Sequence, residues 1–95
     1  MRLRWLQSAL VDLEAIGDAL GRQNPSAAEQ VTARIVHVAE NLADLPGMGR
    51  PGRVVGTREL IVSGTPYIVA YRMRGETVEL LGVIHAARQR PERFD

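Results

Sequence analysis

Cysteine and lysine are both missing from the 95 residues. Without cysteine there is no disulfide framework, no thiolate zinc site and no cysteine nucleophile, and a cytoplasmic location is expected. Aromatic residues make up only 4% of the chain, namely Trp5, Tyr67, Tyr71 and Phe94. That is too few for a platform on which single-stranded nucleic acid stacks its bases. No apolar run approaches the roughly 20 residues that span a bilayer, and the opening Met1-Arg2-Leu3-Arg4-Trp5 does not read as a signal peptide. A soluble protein with no membrane partner is expected. Charge of one sign is lacking too: 12 basic and 11 acidic residues leave a formal +1, which alone predicts no nucleic-acid partner.

What is present is ordinary for a folded chain, 45% hydrophobic and 24% charged residues, at a length that holds one hydrophobic core. One domain over 1–95 is expected. All the basic residues are arginine, and Arg50, Arg53, Arg58, Arg72, Arg74, Arg88 and Arg90 fall between residues 50 and 90. Acids dominate before residue 45, at Asp12, Glu14, Asp18, Glu29, Glu40 and Asp44. Arginine suits bidentate contact with carboxylate or phosphate, so the second half is a candidate surface for an anionic partner. The alternative is a genome rich in arginine codons and a surface charged for solubility.

The apolar spacing changes along the chain. Residues 2–6 alternate Leu3 and Trp5 with Arg2 and Arg4, as an edge strand does. Ala9, Leu13, Ile16 and Leu20 then recur at helical spacing, with Ser8 as candidate N-cap and Gly21 as candidate stop. Asn24-Pro25 opens a second helix, whose stripe Ala28, Val31, Ile35, Val38, Leu42 and Leu45 runs to Pro46-Gly47. So short a connection makes the two an antiparallel hairpin. Runs at 58–62, 67–73 and 77–84 read as strands, joined by tight turns at 64–66 and 74–76. The expected fold is α+β: a short N-terminal strand, a helix hairpin, then a three-stranded antiparallel meander, with both helices on one face of the sheet.

Gly47-Met48-Gly49-Arg50-Pro51-Gly52 spells G-x-G-x-x-G. The dinucleotide fingerprint works between a strand and the helix that follows it, whereas this segment follows a helix and contains proline, so it reads as a surface loop and no cofactor is expected. The strands carry apolar residues on both faces: Ile68, Val69, Ala70 and Tyr71, then Val78, Leu80, Leu81, Val83 and Ile84. Two helices cover one face only. The other is expected to be an apolar groove for a partner, lined by Leu60, Val62, Tyr67, Val69, Tyr71, Leu81 and Val83, unless the N-terminal strand, the 47–56 loop and the C-terminal tail fold over it.

Residues for chemistry are few. His37 lies opposite the apolar stripe of its helix and reads as solvated. His85 closes the last strand, three residues before Arg88. A cluster of Arg58, His85 and Arg88 would suit a phosphate, bound or scissile, while ion pairing with Glu59, Glu76, Glu79, Glu92 or Asp95 is the structural alternative. Arg72 and Arg90 add to the candidate anion-contacting set. No Ser-His-Asp arrangement and no metal-ligand spacing occurs.

Taken in order, Leu45-Pro46-Gly47-Met48-Gly49-Arg50-Pro51, Arg58-Glu59-Leu60, Tyr67-Ile68-Val69-Ala70-Tyr71-Arg72 and Val83-Ile84-His85-Ala86-Ala87-Arg88 resemble the ParE/RelE superfamily of bacterial toxins over nearly the whole chain. The resemblance implies the toxin of a type II toxin–antitoxin module, wrapped by a segment of a cognate antitoxin that would fill the expected groove. RelE-like members are implied to cleave mRNA on the ribosome with basic side chains and an aromatic hydroxyl. Here Glu59 and Ile61 stand where those toxins place lysines, Ile68 where they place an arginine and Phe94 where they place a tyrosine; Arg88 alone matches. The resemblance is therefore closer to the ParE branch, implied to poison DNA gyrase by contact, with the basic sheet end and the 88–95 tail as contact surface. A YoeB-like ribonuclease using His85 and Arg88, or an inactive binding module of the same fold, is the alternative.

Overall fold

The computed structural model describes residues 1–87. A strand β1 (Arg2–Trp5) leads into helices α1 (Gln7–Gly21) and α2 (Pro25–Glu40), a 3-10 turn (Asn41–Ala43), and strands β2 (Arg50–Pro51), β3 (Arg58–Ile61), β4 (Tyr67–Arg74) and β5 (Thr77–His85). The sheet has five strands in the order β1-β5-β4-β3-β2, with β1 parallel to β5 and every other neighbour antiparallel. The expected α+β architecture is the observed one. Strand ends differ from the sequence reading by a residue.

Three local expectations need correction. Ser8 is not the cap of α1. The N-cap position is Leu6, with no side-chain bond, and the Ser8 hydroxyl donates instead to the Leu81 carbonyl at 2.5 Å. Ser8 already lies inside the helix, and its hydroxyl donates to a strand edge across the fold. Gly21, the expected stop, is the last residue of α1. The stripe of α2 ends at Leu42: tightening to a 3-10 turn rotates the chain, and Leu45 is 60% exposed. The 47–52 segment is not purely loop, because Arg50 and Pro51 pair with Glu59 and Arg58 as an edge strand, a place where proline's missing N–H costs nothing. Asn24 does cap α2, its Oδ1 accepting from Ala27 N at 3.1 Å with Pro25 next in line.

The core lies between the helices and one sheet face. Ala9, Ile35, Ala39 and Leu42 pack there on Leu60, Val62, Val69, Tyr71, Val78, Leu80 and Val83. This overturns the expected groove. Leu60, Val62, Val69, Tyr71 and Val83 lie under the helices, each no more than 8% exposed, and Tyr67 is half-buried against the same cluster. Leu81 is the extra residue of a β-bulge opposite Ala70 and Tyr71, buried but outside that cluster. The bulge also explains why both Leu80 and Leu81 are apolar. It breaks the period of two, so the pattern after Leu81 resumes in shifted phase.

Candidate functional site

Alternation puts Glu59, Ile61, Ile68, Ala70, Arg72 and Glu79 on the face away from the helices. Two buried carboxylates organise it. Glu79, 5% exposed, receives the Arg72 Nε–H at 2.8 Å and has Arg74 Nε at 3.7 Å and Arg4 Nη1 at 3.9 Å. The Arg72 hydrogen bond, with the charges of Arg74, Arg72 and Arg4, holds the Glu79 carboxyl below the ordinary glutamate value against the opposing push of burial. Three guanidinium groups on one carboxylate leave a surplus of positive charge, and the Arg4 and Arg74 side chains are 69% and 68% exposed. Glu59, also 5% exposed, accepts the Arg53 amide at 3.1 Å and sits 3.7 Å from Arg50 Nη2.

Beside this charged band runs an apolar row. Ile61 pairs with Ile68, and Ile68 with Ile84, across three strands. Ile68 is 2% exposed and Ile61 53%. These isoleucines, with Ala70, are apolar residues of the helix-free face, and the sequence reading chose the opposite parity. The signal was available: Glu59, Arg72 and Glu79 share parity with Ile61, Ile68 and Ala70, and the face bearing the charges is the one that two helices do not bury.

The proposed trio does not converge. Arg58 pairs with Tyr71, in the middle of β4, and His85 with Tyr67 at its start, about 13 Å apart along the strand at its usual rise. Arg58 donates from Nη1 to the Gly49 carbonyl at 2.7 Å and the Gly47 carbonyl at 3.5 Å, which ties it into the loop before β2. Arg72 is engaged by Glu79. Neither is the free cation the sequence suggested. Arg88, Arg90 and Phe94 lie outside the described residues.

His85 belongs to a different cluster. Its ring meets Tyr67 edge to face, centroids 5.5 Å apart at 88°, and its Nδ1 accepts the Ala87 amide at 3.1 Å. Across a cavity between these two rings and α1 stands Asp12, whose Oδ2 accepts the Val83 amide at 2.9 Å. Sequence reasoning missed Asp12, because nothing local marks one helix acid as the one that meets a strand edge. Among the described residues no three or more His, Cys, Asp or Glu side chains gather to hold a metal, and no helix is long and apolar enough to cross a membrane.

Comparison with known proteins decides the family. The model described as "ParE toxin of type II toxin-antitoxin system, parDE" matches residues 3–90. The chain belongs to the ParE toxin family. Protein Y4kP of Sinorhizobium fredii is 44% identical over 91 residues, covering 96% of this chain and 94% of that one. Toxin RelE2 of Caulobacter vibrioides is 37% identical over 84 residues, 88% and 93% of the two chains. Among solved structures, the chromosomal ParDE system of P. aeruginosa is similar at a TM-score of 0.83 and 30% identity, covering 90% of this chain and 95% of that one. The RelBE2 toxin–antitoxin complex of Mycobacterium tuberculosis follows at 0.64 and 29%, with 88% and 95% covered. The ParE/RelE reading, the toxin role and the fold are thereby shown together.

Proposed function

We propose that this ParE-family toxin arrests growth by inhibiting DNA gyrase through contact, without catalysis, in the cytoplasm, and that a cognate antitoxin bound to it holds it inactive. One observation carries the reading: among the described residues, the helix-free face has no available acid–base pair. Its two carboxylates are both occupied by arginine, and Ile61 and Ile68 fill the places where, by the resemblance, ribonuclease members carry cations. Phosphodiester cleavage there would lack proton transfer, with both carboxylates engaged by arginine. A charged band beside an exposed isoleucine, Ile61, suits a contact surface. The greater structural likeness to a ParDE than to a RelBE toxin supports the same branch.

A supercoiling and cleavage assay with purified gyrase, run beside a translation assay in which mRNA ends are mapped, tests this. Gyrase-dependent DNA breaks with intact mRNA are expected. Cleaved mRNA with normal supercoiling would overturn the proposal in favour of a ribosome-dependent ribonuclease, and neither effect would leave a binding module of the toxin fold.

A further inference from the structure

The cavity between α1 and the far ends of β4 and β5 has a volume of about 180 Å³, and Asp12, Ala15, Ile16, Ala19, Tyr67 and His85 line it. Sites for metabolites and cofactors begin near 300 Å³. This space is the size of one side chain. Alanine at 15 and 19 keeps the helix wall low where larger residues would close it.

Three polar groups reach the cavity with bonding capacity left. Asp12 uses Oδ2 on the Val83 amide, and its Oδ1 has no partner among the described residues. His85 accepts on Nδ1, which in the neutral ring puts the proton on Nε2, also without a described partner. The Tyr67 hydroxyl is in the same condition, its ring being held edge-on by His85.

Charge sets the sign of the guest. α1 carries Asp12, Glu14 and Asp18 and no basic residue, and Glu14 and Asp18 line an adjoining depression with Val11 and Ala15. A carboxylate partly withdrawn from water beside an aromatic ring favours a cation, and the planar guanidinium group both pairs with carboxylate and stacks on rings.

The neighbouring backbone indicates that a polypeptide brings the guest. β1 pairs with β5 only as far as Leu80. Past that point Ser8 and Asp12, one helical turn apart, bond to Leu81 O and Val83 N along the edge that β1 has left. The N–H and C=O of one strand residue point the same way, and residues two apart point alike, so the Val83 carbonyl and the His85 amide face this same edge. A chain laid along it has backbone to bond and a side chain over the cavity.

We propose that this cavity is the socket for an arginine of the antitoxin segment that neutralises the toxin. It rests on the antitoxin reading above. Asp12→Asn keeps an acceptor for the Val83 amide and removes the charge, while Ala15→Arg, at an exposed helix position, fills the socket from within. The full chain, isotope-labelled, is titrated by NMR with N-acetylarginine amide and with its uncharged isostere N-acetylcitrulline amide. Signals of Asp12, Tyr67 and His85 are expected to move with the arginine compound, to move far less with the citrulline one, and to stay still in Asp12→Asn. Equal movement with both compounds, or none with either, would overturn the proposal. With the small protein encoded beside the toxin gene, each variant is expected to weaken Kd about tenfold or more, 1.4 kcal/mol per decade. If wild type forms the complex and both variants bind within twofold of it, the socket fails and the antitoxin reading stands. If wild type forms no complex, the antitoxin reading itself fails.

Discussion

The Tyr71 hydroxyl accepts the Gly49 amide at 2.8 Å and donates to the Pro46 carbonyl at 2.8 Å, so one phenol in the middle of the core closes the loop between the helices and the sheet. Arg58 pulls on the Gly49 carbonyl from the other side. The G-x-G-x-x-G lookalike is thus a clamped connection, in which Gly49 makes room for Tyr71 and Gly52 for Thr57.

Tyr71→Phe keeps the buried ring and deletes both bonds. It leaves a buried amide and a carbonyl without their partner, so a loss of about 1–3 kcal/mol is expected in urea unfolding at unchanged m value. A change under about 0.5 kcal/mol would mean that water takes over the phenol's role.

Gly47 and Gly49 should respond differently to alanine. A Cβ at Gly49 would sit 2.6 Å from the Tyr71 hydroxyl oxygen and 3.0 Å from the Glu59 carbonyl oxygen, whereas one at Gly47 meets nothing within 4 Å. Gly49→Ala is expected to cost about 1–3 kcal/mol by overpacking, and Gly47→Ala to be neutral or mildly stabilising. Equal thermal midpoints for the pair would contradict the clamp.

Asn24→Ala removes the acceptor at the start of α2, and about 1 kcal/mol should be lost. Since the Asn24–Ala27 bond is solvent-exposed, the backbone around it can rehydrate, and the effect should appear as fraying in the first turn by hydrogen exchange.

Acid should expose the Glu79 cluster. Because Glu79's carboxyl is held below its ordinary value in the fold, its contribution is fully present above the ordinary glutamate value and is lost as pH falls through the lowered one. Stability measured across that window is expected to slope downward toward acid in wild type and to slope less in Glu79→Gln. Identical slopes would show that other carboxylates carry the acid sensitivity.

Much of the fold was legible because its signals are local. Asn24-Pro25 marks a helix start by its own hydrogen bonding, the stripe through Ile35 and Leu42 has helical period, and the turns at 64–66 and 74–76 contain Gly64 and Gly75, whose φ values of 82° and 60° suit glycine. The site was less legible. Strand alternation fixes a period but not its phase, so Leu60 and Val62 were placed on the open face when Ile61 belongs there. A single extra residue at Leu81 then shifted the phase again within β5. Ser8 and Asp12 look like any polar residues of a helix's first two turns until the edge of β5 past Leu80 is brought beside them.

By itself the sequence determined the helix hairpin, the meander and the family, since each rests on short-range spacing or on residue identity. Only the tertiary structure decided which sheet face the helices bury, that β1 docks parallel on β5 and stops at Leu80, and that Asp12, Tyr67 and His85 surround one cavity. Those facts depend on how elements far apart in the chain meet, with 71 residues separating Asp12 from the Val83 amide it accepts, and no local pattern encodes such a meeting.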